Sequence, residues 1–407
     1  MPLCQPPIEN GALLIKRNRI AAVAPWSKVP AELRRRAVDL GDTLLLPGLI
    51  NSHCHLDYTN MAGQFSPPKI FTDWLKLITT AKAGWSYSDY ADSWIHGAKM
   101  LVRTGTTTVG DIEAVPEMLP EVWSATPLRV ISYLEMIGIT SRRQPRDLLE
   151  EATDQITSLG DSRCRAGLSP HAPYSTLPEL LRLTAKKANR RRLPLCIHVA
   201  ESALEFEMFR HGRGEMFNWF QRSGRDCSDC KLGSPVQHLE RNGALSERLL
   251  AVHANYLGPK DATLLAKRGV SVAHCPRSHS YFRHGAFPLR RLLKAGVNVC
   301  LGTDSLASVV KNRRQTVELN MFEEMRTFAD NHPWISPKRI LHMTTINAAR
   351  ALGMPGTIGE LKTGAFADVI GIPFTGNLSD AFDIILNHSG QVSASVIDGK
   401  WAVAPAN

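Results

Sequence analysis

The sequence predicts an α/β fold, a parallel barrel ringed by helices, beside a small β-sandwich domain built from both chain ends. Three observations lead there. Eight short apolar, β-branched runs alternate with amphipathic helical stretches. The two chain ends read differently, as short strands separated by basic or glycine turns. The 407 residues exceed one small core and suit one large α/β domain with an accessory domain. A doubly wound open sheet shares the alternation, and strand count alone does not separate the two.

Residues 10–46 open with NGALLIKRNRIAAVAPW, which alternates around a basic turn. The first barrel run is TLLLPGLINSHCH (43–55), followed by TGTTTVGDI (104–112), LRVISYLEMI (128–137) and CRAGLSPHAPYS (164–175). PLCIHVAE (194–201), RLLAVHAN (248–255), GVSVAHCPRS (269–278) and GVNVCLGTDS (296–305) complete the eight. Helical spacing joins them, as in GPKDATLLAKRG, where Ala262, Leu265 and Ala266 share a face. Residues 357–407 return to short strands with glycine turns, IGELKTGAFADVIGI and SASVIDGKWAV. The expected division is 1–46 and 356–407 for the small β domain and 47–355 for the barrel.

Composition narrows the class. Apolar residues make up 43% and charged residues 21%, an ordinary globular balance. No apolar run approaches the ~20 residues that span a bilayer, so no membrane association is expected. MPLCQPPIENG lacks the charged and apolar regions of a secretory signal, and a cytoplasmic location is the default expectation. The eight cysteines sit largely in strand-like runs, where free cysteine behaves as a small hydrophobe. Cys227 and Cys230 form CSDC without a second pair at zinc-finger spacing and read as a surface loop. The net charge of +10 comes from clusters that punctuate helices. No aromatic-interleaved basic stripe accompanies them, so no nucleic-acid partner is expected. The same field would favour an anionic substrate.

The chemistry concentrates at strand ends. In an extended INSHCHLDYT, His53 and His55 share one face and Cys54 takes the other, which makes half of a metal site. Two surface histidines would show the same spacing. The other runs tip the balance: His171 ends the fourth, His198 and Glu201 the fifth, His253 the sixth, His274 the seventh and Asp304 the eighth. In a closed parallel barrel these ends meet at one mouth, where active sites are built.

LLPGLINSHCHLD, SPHAPYS, HVAES, AHCPRSH, LGTDSLAS and TTINAARALGMPGTIGELKTGAFADVIGI occur in this order between residues 43 and about 372. This set resembles the amidohydrolase superfamily, in its branch of mononuclear-metal aromatic deaminases and chlorohydrolases. The resemblance implies a (β/α)8 TIM-like barrel and a metal held by His53, His55, His198 and Asp304. The binuclear branch carries a bridging lysine near the fourth strand, and LSPHAPYS has none. One divalent metal is therefore expected, Zn²⁺ ahead of Fe²⁺.

Hydrolytic deamination of an aromatic ring needs an activated water, a protonated ring nitrogen and a protonated leaving amine. Glu201 is placed to be the ring acid, and His253 and Asp304 to handle the water proton. Glu201 as a first-turn helix acid and His253 as a packed core histidine are the bland alternatives. His171 resembles the residue that contacts substrate in adenosine-type deaminases. Glu135 and Arg277 are further candidates for substrate contact, while His274 and Arg213 have no assigned role. His279 stands where many relatives have Asn, which affects the pocket rather than the ligands.

The expected activity is hydrolytic deamination of an amino-substituted purine-like or pterin-like heterocycle, possible forms being an adenosine-type nucleoside or aminodeoxyfutalosine. Chlorohydrolysis of a triazine-like ring is the alternative enzyme, and a scaffold that has lost catalysis is a third reading. The expected partner is the small heterocyclic substrate, with a homodimer as a possible assembly.

Overall fold

A computed structural model describes residues 1–139, 143–160, 163–311 and 316–405. In chain order the strands are β1 (Gly11–Lys16), β2 (Arg19–Pro25), β3 (Thr43–Pro47), β4 (Leu49–Cys54), β5 (Thr106–Glu113), β6 (Arg129–Met136) and β7 (Arg165–Pro170). They continue with β8 (Leu195–Val199), β9 (Leu249–His253), β10 (Ser271–His274), β11 (Asn298–Leu301), β12 (Val369–Pro373), β13 (Ala394–Ile397) and β14 (Lys400–Val403). Strands β4 to β11 pair in sequence order as one eight-stranded sheet, and the pairings are parallel throughout. Each of the eight expected barrel runs overlaps one of them, and β5 extends one residue past its run, to Glu113.

The sheet closes on itself. A parallel bridge joins Cys54 at the end of β4 to Asp304 just past β11. Asp304 N–H donates to His53 O at 3.1 Å. Below this bridge the Asn51 side chain takes over the ladder: its Nδ2 donates to Thr303 Oγ1 at 2.7 Å, and its Oδ1 accepts from Thr303 N–H at 3.0 Å. Closure selects the barrel over the open sheet.

Strand alternation sorts the side chains into two layers. Ile50, Ile131, Tyr133, Cys196, Leu250, Val252, Ala273 and Cys300 form the interior cluster, joined by Ala348, Ala349 and Leu352 from the helix Ile346–Ala351 and its end. Their neighbours, such as Leu49, Val130, Ile197, Ala251, Val272 and Val299, pack outward into the core under the helices. Burial on both faces explains why the strands read as continuous apolar runs. The helix Tyr87–Arg103 shows the complementary logic. Ser86 and Asp89 close a capping box, and Tyr90, Ala91, Trp94, Ala98 and Leu101 form its buried stripe.

The run expected as one strand, 43–55, is two. Pro47 and Gly48 divide it, and Thr43–Pro47 leaves the barrel to pair antiparallel with β12. The sheet then continues β12–β13–β14, while β1 and β2 form a separate hairpin. Ile20, Ala365, Ala367, Val369 and Val396 make a small shared core, so both chain ends meet as expected. Arg129 at the start of β6 fastens this unit to the barrel. Its Nε lies 3.0 Å from Asp368 Oδ2 and its Nη2 3.1 Å from Asp398 Oδ1, and its guanidinium lies 3.8 Å from the Phe366 ring centroid.

Gly302 sits at the closing seam, where a Cβ would stand 2.7 Å from His53 O. Backbone on both sides cannot yield without opening the bridge. Gly302→Ala is therefore expected to destabilise the fold by about 1–3 kcal/mol, the usual scale of overpacking, read as a lower urea midpoint.

Candidate active site

The strand ends place the chemistry through the same alternation. Cys196 faces the barrel interior and Ile197 the helices, so His198 faces inward. In β4, Ile50 is interior, while Leu49 and Cys54 both lie in the outer core. Strict alternation forbids an odd and an even residue on one face, and the pairing of β4 with β5 shifts register between Asn51 and Cys54. The shift turns His53 and His55 inward on either side of Cys54. His253 and Asp304 use another device. Their φ values of 72° and 55° lie in the left-handed region, which bends the chain at the strand end and redirects the side chain.

The result is one buried cluster. The ligand-capable nitrogens of His53, His55 and His198 lie within 4.8 Å of one another. His55 Nε2 and His198 Nε2 are 3.3 Å apart. Asp304 Oδ1 is 3.7 Å from the Nε2 atoms of both His53 and His55. Neither ring nitrogen of His53 has a hydrogen-bond partner, although both are buried. Orphaned polar atoms of this kind are costly unless something satisfies them. His198 Nδ1 must donate to His171 O, at 3.0 Å, which leaves the Nε2 lone pair facing the cluster.

Electrostatics favour the ligand state. Burial, with the neighbouring imidazoles, pushes His198 down to about 3 and His55 well below its usual value. Both rings stay neutral, as metal binding requires. Burial alone would raise Asp304, but contact with His53 and the fields of His253 and His55 hold it well below the usual carboxylate range. Its Oδ2 accepts from Ser278 Oγ at 2.6 Å and Ser308 Oγ at 3.3 Å. Three imidazoles and one oriented carboxylate fit a divalent transition metal.

Glu201 and His253 form a second pair beside the cluster, with Oε1 to Nε2 at 3.6 Å. Burial, then the negative fields of Asp304 and Glu205, raises Glu201 well above the usual carboxyl range. Its backbone is clamped: N–H donates to Glu205 Oε2 at 2.9 Å, and O accepts from Asn255 Nδ2 at 3.0 Å. The first-turn acid of the following helix, Ala203–His211, is Glu205, with Ser202 as the cap. Glu201 lies before the cap and has no such helical duty. Across the site, His171 Nε2 lies 3.9 Å from Glu135 Oε1, and His171 Nδ1 pairs with Ser175 Oγ at 2.6 Å. Burial, with Lys82 and His53 nearby, lowers His171 to about 3.

Several candidates fall elsewhere. Arg277 has no guanidinium to spare for a substrate: Nε pairs with Glu324 Oε1 at 2.5 Å, Nη1 with Glu323, and Nη2 donates to Glu318 O at 2.9 Å. It ties its helix to the helix Met321–Asn331 instead. His274 follows Val272 outward and stacks on Phe287, with ring centroids 3.8 Å apart. Arg213 pairs with Glu207 at 2.9 Å on the surface. The CSDC segment is only partly a surface loop, because Cys230 is buried. His279 Nδ1 donates to Asn255 Oδ1 at 3.1 Å and so supports the clamp on Glu201.

The sequence reading missed the supporting residues. Tyr58 stacks on His55 with centroids 5.1 Å apart and accepts from Lys82. Buried Arg225 donates to Pro173 O and Tyr174 O, at 3.1 and 2.9 Å, and so anchors the loop that follows His171. Ser278 and Ser308 lie inside motifs already quoted, AHCPRSH and LGTDSLAS, which was their one available signal.

The amidohydrolase family model matches residues 44–402. The chain belongs to the amidohydrolase family. A 5-methylthioadenosine/S-adenosylhomocysteine deaminase of Syntrophobacter fumaroxidans is 33% identical, over 90% of this chain and 80% of that protein. A zinc-bound adenosine deaminase from Xanthomonas campestris superposes with a TM-score of 0.80 at 25% identity, covering 97% and 89% of the two chains. Helicobacter pylori aminofutalosine deaminase shares the fold, with a TM-score of 0.85 at 21% identity over 97% and 96%. This amidohydrolase is a hydrolytic enzyme of carbon–nitrogen bonds in heterocycles, and its site takes a divalent metal.

Metal binding should carry stability as well as chemistry. At a free ion concentration ~100-fold above Kd, binding adds about 2.7 kcal/mol by mass action. Treatment with a chelator is expected to lower the melting temperature, and stoichiometric Zn²⁺ to restore it.

Proposed function

We propose that the chain is a zinc-dependent deaminase of adenosine-type nucleosides modified at the 5′ position. The observation that carries this reading is the buried Glu201 beside the histidine–aspartate cluster, paired with His253 at 3.6 Å and with its carboxyl raised well above the usual range by burial. A carboxyl whose burial favours its protonated form can donate to a ring nitrogen, which is what addition to an aminopurine requires. The relatives named above as deaminases of adenosines agree with it. His53, His55, His198 and Asp304 would hold the metal, whose chemistry is to lower the pKa of water for attack on the ring. Three imidazoles and a carboxylate suit Zn²⁺, the ion bound in the Xanthomonas relative.

The chain's own groups then divide the proton traffic. Glu201 gives its proton to the ring nitrogen next to the amino-bearing carbon. Asp304, ionised and fixed through Oδ2 by two serine hydroxyls, takes a proton from the water. His253 Nε2, next to Glu201 Oε1, steadies the carboxylate that remains. Asp304 passes the proton it took from water to the departing amine, so ammonia leaves neutral, and the proton of the new hydroxyl returns to Glu201 as the ring carbonyl forms. His171 and Glu135 face the same mouth and bind the nucleoside by hydrogen bonds. Burial of these groups in a low-dielectric interior strengthens each of these contacts.

The direct test is ammonia release from 5′-methylthioadenosine, S-adenosylhomocysteine, 5′-deoxyadenosine and adenosine. Absence of release from all four would reject the reading. Glu201→Gln is expected to keep its metal and lose roughly 10²–10⁴ in kcat. Because the protonated form is the active one, kcat should fall as pH rises through the raised Glu201 value. The glutamine variant should lack that alkaline limb in its residual activity.

A further inference from the structure

Residues 225–231 carry the CSDC motif, apart from the histidine–aspartate cluster. Backbone bonds pin both ends of this segment: Arg225 N–H donates to Phe220 O at 3.0 Å, and Lys231 N–H to Phe209 O at 2.9 Å. Between them Cys230 N–H donates to Cys227 O at 3.1 Å and closes a turn. A four-residue turn brings its end Cα atoms within about 7 Å, the reach of a disulfide. Both cysteines pack in one apolar cluster with Tyr174, Phe209 and Phe220. Cys230 is buried, whereas Cys227 is half-buried.

The buried Arg225 guanidinium joins this turn to the loop after His171. It grips Asp229 with both Nη atoms, at 2.7 and 2.8 Å, and donates from Nε to Tyr174 O and from Nη2 to Pro173 O. Burial works to lower its pKa, yet Asp229 and the fields of both thiols raise it, so both sulfurs lie within its electrostatic reach. A guanidinium at such range favours a thiolate. Burial, then Asp229, pushes Cys230 up to about 12, which leaves the half-buried Cys227 as the attacking sulfur. Cys230 Sγ donates to Asp229 Oδ1 at 3.6 Å, and a disulfide would take that donor from the carboxylate that Arg225 grips.

We propose that Cys227 and Cys230 are a reversible dithiol–disulfide site, oxidised by a low-molecular-weight disulfide, that sets the loop beside His171. The Cys227 thiolate attacks one sulfur of glutathione disulfide, forms a mixed disulfide and releases one glutathione, which takes the Cys227 proton. The Cys230 sulfur then attacks Cys227 Sγ, and its proton goes to the second departing glutathione. Two thiols become one disulfide, and one glutathione disulfide becomes two glutathiones. The Arg225 clamp carries the change at Asp229 to Pro173 and Tyr174. The disulfide stands apart from the deaminase reading above; its effect on substrate affinity rests on that reading.

The test uses metal-loaded protein carrying Cys4→Ser, because Cys4 is the one exposed thiol. Across buffers of glutathione and glutathione disulfide, intact mass should show the loss of two hydrogens with no glutathione retained. Adding Cys230→Ser should trap one glutathione at residue 227, and adding Cys227→Ser instead should trap none. The oxidised protein should show a KM for 5′-methylthioadenosine roughly 3- to 10-fold higher, the scale of one hydrogen bond, at unchanged kcat and metal content. Reduction should restore KM, and the Cys227→Ser protein should not respond. A mass and thiol count that stay the same at every glutathione ratio overturn the proposal, as does a disulfide that leaves KM unchanged. Failure of the deaminase reading shows separately: no adenosine then releases ammonia in either redox state, and the mass alone decides the disulfide.

Discussion

A single backbone hydrogen bond, from Asp304 N–H to His53 O, underlies the whole arrangement. It joins the last barrel strand to the first and so closes the sheet. It also brings the one ionised carboxylate of the cluster against the two histidines of β4. Fold closure and ligand geometry are thus the same event. Asn51 and Thr303 repeat the contact one step below with side-chain hydrogen bonds. A seam made this way holds its register without a long ladder, and register at this seam sets the distance between Asp304 and the imidazoles.

The second constraint is the cost of burying polar groups. His53, His198, Glu201, His253 and Asp304 are all buried. Isolated, each would oppose folding by its lost hydration. Together they supply for one another part of what water gave, and an unpartnered nitrogen of His53 marks what a cation completes. This explains why a carboxyl raised well above its usual range at Glu201 and one held well below it at Asp304 coexist within one small volume. Their different neighbours hold them in different protonation states, which is the condition for acid and base chemistry at one pH.

Much of this was legible in the chain because strand alternation is simple. Eight apolar runs gave eight barrel strands, and polar residues at their ends mapped to the mouth. Where alternation was broken, local conformation decided. The bulge in β4 admitted both His53 and His55, and left-handed residues redirected His253 and Asp304. His274 had no such device and stayed on the outer face. Pro47 and Gly48 split one run between two sheets. Arg277 looked available in sequence because its acids, Glu323 and Glu324, lie far along the chain. Tyr58, Lys82 and Arg225 were hidden for the same reason: their roles come from tertiary neighbours, and no spacing rule encodes those.

The Arg129 clamp also bears on how the chain is made. Its guanidinium belongs to the third barrel strand, yet its partners Asp368 and Asp398 lie 239 and 269 residues further on. During synthesis the N-terminal strands emerge first, with this buried charge still unpaired. The clamp between barrel and small domain is therefore complete only once the segments carrying Asp368 and Asp398 are both in place. A chain that lacks Asp398 leaves this guanidinium with one carboxylate partner fewer.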